Sequence, residues 1–300
     1  MNLQQMATFC AILNEGSMTA AAEKLFLTQP AVSQQIRNLE EELGVELLVR
    51  GVRQVKPTLQ GQLLFEYAKK IMYLTKQAEV AIQSMKSDVK GRLDIGTLNS
   101  IGMYMVSPIV GLFLKTNSQL TLNLEYSAGI DIMEAMKKNA MDVVILPDVS
   151  KEYGGEFSAY EEKILFKDEL WLVASAKDTT LPLNIPVETL AENPFVKLND
   201  HYPAFDKFLS GLLEAKKIVL RPIIESTNVG SLKRIVESGF GWGFLPAHSI
   251  RKQVQSGRLN HIEVAGLNYQ YNIKFYVKKD SPAKAAAEVL FRALQFSSGR

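Results

Sequence analysis

The chain holds one cysteine, Cys10, and three histidines, His201, His248 and His261. A single thiol excludes an internal disulfide and any cysteine-rich metal site, and the three imidazoles lack the spacing of metal ligands. No metal and no cofactor is expected. Charge of either sign is not in excess: 34 Lys and Arg face 32 Asp and Glu, so the balance by itself names no partner. Long apolar runs are missing too. The one charge-free span, Ile95–Leu114, carries three Gly, two Ser, a Thr, an Asn and a Pro. It reads as a buried strand followed by a helix, not as a membrane span. Met1–Leu13 has neither the basic start nor the continuous apolar run of a signal peptide, so the expected location is the cytoplasm, with no membrane partner. No Ser-His-Asp order, glycine-rich phosphate loop or HExxH stands out, and Gly239-Phe240-Gly241 is too little for a nucleotide fingerprint. The chain reads as a non-enzyme.

What is present falls into three regimes. Residues 1–57 are short helical segments broken at Gly16, at Leu27–Thr28 and at Gly44. Residues 58–90 carry one long helical pattern. Leu64, Tyr67, Ile71, Leu74, Ala78, Ala81 and Met85 step by three and four in alternation, with Lys69, Lys70, Lys76 and Lys86 off the seam. A seam this regular suits pairing with a second copy of itself, so these residues are expected to dimerise. Residues 91–300 alternate strands with helices, as α/β domains do. They contain an internal echo, because 92–147 and 195–246 share the order strand, helix, strand, helix, strand and end in "VVILP" and "WGFLP". Two similar lobes are expected, lobe I from 91–162 and 267–300 and lobe II from 163–266. Two strand-like runs in 157–176 and the tail "NIKFYVKK" would cross between the lobes and form a hinge beside a cleft.

The chemistry near the amino end lies in "LTQPAVSQQIRNLEEELG". Val32, Ile36, Leu39 and Leu43 form an apolar stripe, Thr28 caps the helix, and Pro30 falls in the first turn, where its missing N–H costs little. A helix at 19–25, rich in Ala20, Ala21 and Ala22, precedes it after a very short turn. Two helices joined so tightly match a helix-turn-helix, whose second helix enters the DNA major groove. Opening that helix are Thr28 and Gln29, and its outward side carries Pro30, Ser33, Gln34, Arg37 and Asn38. Amide side chains hydrogen-bond base edges, while Ser and Arg suit phosphate oxygens. Residues 1–57 carry five basic residues against six Glu, yet Arg50, Arg53 and Lys56 gather in "VRGVRQVKPT", a connector placed to form a wing over the phosphate backbone. The acidic cluster sits at the far end of the helix.

Phe9–Leu64 resembles the amino-terminal module of LysR-type transcriptional regulators. The likeness runs from the Gly-Ser-Met-Thr turn through Gln-Pro-Ala-Val-Ser-Gln-Gln-Ile and Leu-Glu-Glu-Glu-Leu-Gly to Pro-Thr-x-x-Gly. Two positions depart from the pattern: Leu48-Val49 stands where an aromatic and an acid are usual, and Pro57 replaces an apolar residue. The resemblance implies a winged helix-turn-helix head, a long linker helix and an α/β two-lobed effector domain like periplasmic binding proteins. It also implies a homo-oligomer, often a tetramer built as a dimer of dimers, that binds a double-stranded DNA operator and recruits RNA polymerase. Alternative readings are a DNA-binding head fused to an enzymatic α/β domain, or a solute-binding module.

In such proteins a small molecule binds between the lobes. Four strand-to-helix corners suit that role here: Ser100 with Ile101, Ser127 with Ala128, Asn199 with His201, and Thr227 with Asn228. Helix termini favour a small polar or anionic effector, such as a carboxylate. Trp242 lines the cleft or packs in the core, and His248 and His261 are surface or structural. Cys10 is expected as a small core residue.

Overall fold

The computed structural model describes residues 1–49, 55–84, 89–149, 157–200 and 202–298, in two compact units, Met1–Glu79 and Val80–Arg300.

In the first unit, α1 (Leu3–Glu15) opens on a reciprocal cap: the Gln5 N–H donates to Asn2 Oδ1 at 2.9 Å, and the Asn2 N–H donates to Gln5 Oε1 at 2.8 Å. Gly16, in the left-handed region at φ 67°, stops it. Ser17 caps α2 (Met18–Lys24) and Thr28 caps α3 (Gln29–Leu43). Phe9, Ile12, Ala21, Ala22, Val32, Ile36 and Leu39 make the core, and the two alanines let α2 pack closely. Leu43 departs from the expected stripe. It is 38% exposed, on the last turn of the helix, which Gly44 ends by turning left-handed immediately after it. Strands β1 (Leu48–Val49) and β2 (Lys56–Pro57) pair antiparallel as the base of a wing. Pro57, unable to donate, sits in this short edge strand, where proline is tolerated. Glu40, from the acidic cluster, is part of the scaffold: its Oε1 accepts from the N–H groups of Leu47 at 2.7 Å and Leu48 at 3.2 Å. The long helix α4 spans Leu59–Ser84. Its Ala68 and Met72 are buried against Met6 and Cys10 of α1, which makes Cys10 a core residue.

The second unit is α/β. Strands β3 (Gly91–Leu98), β4 (Leu120–Ser127) and β5 (Val143–Pro147) lie parallel with β3 in the middle. Between β3 and β4 runs α5 (Asn99–Ile101), a π-turn at Gly102–Val106 and α6 (Ser107–Thr116); α7 (Gly129–Lys137) leads to β5. Gly102 lets this helical run settle on Tyr126, since a Cβ there would lie 2.6 Å from the Tyr126 ring.

Sequence reading placed two strand-like runs in 157–176; the structure has one continuous strand, β6 (Tyr160–Ser175). Its first part pairs with β12 (Gln270–Lys278) in lobe I. Its last part pairs with β10 (Gly243–Pro246) and β11 (Leu259–Val264) in lobe II. A strand of 16 residues outlasts one lobe, so it serves both. The tail β12 returns beside it and joins β5, giving the two expected crossings. Lobe II adds β7 (Asn184–Ile185), β8 (Phe195–Leu198), α8 (Pro203–Ala215), β9 (Pro222–Ser226), α9 (Val229–Glu237) and α10 (Ala247–Gln255), and α11 (Lys284–Ser298) closes the chain. The strand read from Val219 begins only at Pro222, where its partner β8 begins. Gly241, at φ 93°, occupies the sharp approach to β10, where a Cβ would meet the Pro194 carbonyl oxygen at 2.5 Å. That approach is the work of the Gly-Phe-Gly stretch. Among the described residues, no helix is long and apolar enough to cross a membrane.

Candidate functional site

On α3 the buried side is Val32, Ile36 and Leu39, which leaves Gln29, Pro30, Gln34, Arg37 and Asn38 exposed on the opposite side. Their amides are held along the helix: Gln34 Nε2 donates to Asn38 Oδ1 at 2.7 Å, and Gln29 Nε2 to Ser33 Oγ at 2.9 Å. Ser33 is half-buried and turns its hydroxyl to the Met18 sulfur at 3.4 Å. Thr28 accepts from the Ala31 N–H at 3.4 Å as the cap. Gln35 belongs to the scaffold, because the Thr8 hydroxyl donates to its Oε1 at 2.6 Å. Lys56 is exposed on β2; Arg50 and Arg53 lie outside the described residues.

On α4, Tyr67, Leu74 and Ala78 are exposed, with Tyr67 at 55% and Leu74 at 60%. Leu64 and Ile71 pack in part on the head's own clusters. The α4 backbone carries Ala81, and Met85 lies outside the described residues.

In the second unit the four corners separate by chemistry. Ser127 donates to Asp131 Oδ2 at 2.9 Å inside its own first turn, and Ala128 precedes α7 without a side-chain cap. Asn199 Nδ2 donates to Glu225 Oε2 at 2.7 Å, and Asn228 caps α9 by accepting from the Ser231 N–H at 3.0 Å. Thr227 is exposed, and His201 lies outside the described residues. Ile101 is wholly buried as a core side chain. Ser100 differs from all of these: it is 1% exposed, and its Oγ makes no hydrogen bond of ordinary geometry among the described residues.

Around Ser100 the lobes meet in a polar cluster that sequence reading missed. Asp168 of β6 and Tyr271 of β12 stand opposite each other on the crossing strands. The Tyr271 hydroxyl donates to Asp168 Oδ2 at 2.8 Å, and His248 Nδ1 meets the same oxygen at 2.7 Å. A carboxylate only accepts, so Nδ1 is the donor in this contact, and Nε2 is a buried atom that makes no hydrogen bond of ordinary geometry among the described residues. His248 is thus structural and buried, at the start of α10. Tyr202, before α8, packs its ring edge-on to Tyr271 at 5.3 Å. Burial holds both phenols well above the ordinary tyrosine range, with nearby carboxylates adding to the effect, so both remain neutral donors. Ser100 lies close enough to Tyr202 to offset part of that rise, yet the Tyr202 hydroxyl too has no hydrogen bond of ordinary geometry. No spacing in the sequence signals the cluster, whose members come from five separate segments. Trp242 is buried in the core, and His261 stacks on Trp171 at 4.3 Å.

Residues 3–62 match the family model described as bacterial regulatory helix-turn-helix protein, lysR family, and residues 86–297 match the LysR substrate binding domain. A probable RuBisCO transcriptional regulator of Thalassiosira pseudonana is 26% identical, covering 97% of this chain and 96% of its own length. The RuBisCO operon transcriptional regulator of Allochromatium vinosum is 27% identical, over 95% and 93%. Among solved structures, CrgA from Neisseria meningitidis aligns over 100% of this chain and 99% of its own, with 19% identity and a TM-score of 0.55. Vibrio fischeri DarR in complex with DNA aligns over 98% of each chain, with 19% identity and a TM-score of 0.55. These two share the fold.

Proposed function

This chain belongs to the LysR family of bacterial helix-turn-helix transcriptional regulators, and from that premise we propose how its own residues carry the work. Gln34 and Asn38 read base edges in a major groove. Arg37, Lys56, Arg50 and Arg53 hold phosphates, with Thr28, Gln29, Pro30 and Ser33 setting the entry of the helix. A small polar or anionic molecule sits between the lobes, in contact with Ser100. The heptad seam from Leu64 to Met85 pairs two copies, dimers pair into tetramers, and RNA polymerase is the downstream partner in the cytoplasm.

The observation that carries the effector reading is the set of buried polar atoms at the lobe junction, Ser100 Oγ, Tyr202 OH and His248 Nε2, that make no hydrogen bond of ordinary geometry among the described residues. Leaving such a group unsatisfied costs about 1–3 kcal/mol each, so a cluster of them favours a ligand that supplies the missing bonds. Ser127, Asn199 and Asn228 already have local partners, and they join the site as its rim.

Selection from random duplexes, with and without cell extract, tests both halves. Wild type enriches a partly palindromic site and changes its affinity when extract is added. Gln34→Ala loses ~1–3 kcal/mol of discrimination, and Arg37→Ala weakens all sequences alike while reducing the salt slope by about one phosphate contact. Ser100→Ala keeps the site preference and loses the response to extract. No enrichment by wild type, or a full response in Ser100→Ala, would overturn the reading.

A further inference from the structure

Two lysines of the second unit are deeply buried, and they are treated differently. Lys274 is 8% exposed and its ammonium meets two carboxylates, Asp148 at 3.0 Å and Glu162 at 2.9 Å. Lys233, on α9 of lobe II, is 9% exposed and has only neutral partners. Its Nζ donates to the Tyr104 hydroxyl at 2.8 Å and to the Ser249 carbonyl at 3.4 Å, and lies 4.5 Å from the centre of the Tyr104 ring. Among the described residues, no carboxylate comes within ion-pair distance of it. Asp168, the carboxylate buried at the same junction, is taken up by Tyr271, His248 and, at 3.9 Å, Arg251.

Tyr104 belongs to the π-turn of lobe I, so this contact spans the lobes between residues 129 apart in sequence. A π-turn inside a helix often marks a functional position. Ser249 follows His248, which places Lys233 at the edge of the cluster that holds Ser100, Tyr202 and His248. An ammonium has three N–H donors, and two of those of Lys233 have protein acceptors among the described residues. The Tyr104 oxygen accepts from Lys233, so its own proton is available to donate onward. A buried cation with no counter-ion is costly unless an anion completes it.

We propose that Lys233 is the charge partner of the effector, that the effector carries a carboxylate or phosphate group, and that Tyr104 donates to the same group from the facing lobe. The ligand thereby draws lobe I and lobe II onto one negative charge. This rests on the reading of the lobe junction as the effector site, and the variants are chosen so that the two fall separately.

Thermal melting of the full chain is measured against inorganic phosphate, succinate and uncharged succinamide, for wild type, Lys233→Met, Lys233→Gln and Ser100→Ala. In wild type at least one anion raises the midpoint saturably, and succinamide does not; the stronger anion identifies the group. Lys233→Met, which removes an uncompensated buried charge at similar volume, melts no lower than wild type without ligand and binds that anion at least tenfold more weakly. Lys233→Gln keeps a polar donor but shows the same loss, which separates charge from packing. If the anion stabilises the Lys233 variants as well as wild type but not Ser100→Ala, the junction stands and Lys233 is not its charge partner. If neither anion stabilises wild type, or succinamide does so equally, the anionic assignment is wrong; anion stabilisation unchanged in every variant removes the junction as well.

Discussion

Gly61 shows how much one hydrogen atom can decide. A Cβ at this position would lie 2.0 Å from the Leu47 carbonyl oxygen, a backbone atom that cannot swing aside. The same corner is tied by the Thr58 N–H donating to Leu47 O at 2.9 Å and by the Gly61 N–H donating to Thr58 Oγ1 at 3.0 Å. Gly61→Ala therefore forces α4 away from β1. It is expected to destabilise the head by about 1–3 kcal/mol, measurable by urea unfolding, with no comparable loss for Gly111→Ala, where a Cβ meets nothing within 4 Å. Glu40 acts at this residue scale too. Glu40→Ala strands the N–H groups of Leu47 and Leu48 and lowers head stability by about 1–3 kcal/mol in the same assay.

At the scale of elements, α4 carries two faces with different work. Ala68 and Met72 are buried in the head, whereas Leu74 is 60% exposed. Leu74→Asp therefore tests the proposed seam without disturbing the head. Sedimentation should show a lighter species while far-ultraviolet circular dichroism is unchanged, and an intact oligomer would remove Leu74 from the interface. Strand β11 carries a pH dependence. Burial holds His261 below the ordinary histidine range, with Arg251 adding to the effect and Glu263 and Glu169 opposing it. The unfolded chain takes up this proton near about pH 6.5 while the folded chain resists it, so stability falls as pH drops through that value. Between pH 7.5 and 5.5 wild type should lose more stability than His261→Phe does, by urea unfolding at each pH.

At the scale of the whole molecule, each unit has a hydrophobic core of its own. One is built on Phe9, Ile12 and Leu39, the other on Leu93, Phe113 and Phe275. Units with separate cores unfold as separate cooperative steps. Calorimetry should resolve two transitions, and Gly61→Ala should lower the one that belongs to the head while leaving the other in place. In the second unit the lobes share β6 and β12, so they form a hinge made of continuous strands. Both strands run unbroken from one lobe's ladder towards the other's, so the lobes are joined by hydrogen-bonded sheet and not by loops alone.

The sequence by itself determined the elements. Helix caps at Thr28 and Ser17, the stop at Gly44 and the three- and four-residue spacing of Val32, Ile36 and Leu39 are local signals, so α3 and its polar outward face could be read directly. Resemblance over Phe9–Leu64 added the family, and the repeated strand-helix order announced two lobes. Leu43 was misread because periodicity tells which side a residue faces but not whether anything covers it. The polar cluster stayed hidden for a related reason. Ser100, Asp168, Tyr202, His248 and Tyr271, with Tyr104 and Lys233 beside them, are separated by tens of residues, and only the return of β12 alongside β6 brings them together. Which of the four polar corners buries its hydroxyl at the lobe junction was likewise decided by tertiary packing, since burial and the positions of neighbouring side chains leave no trace in local spacing.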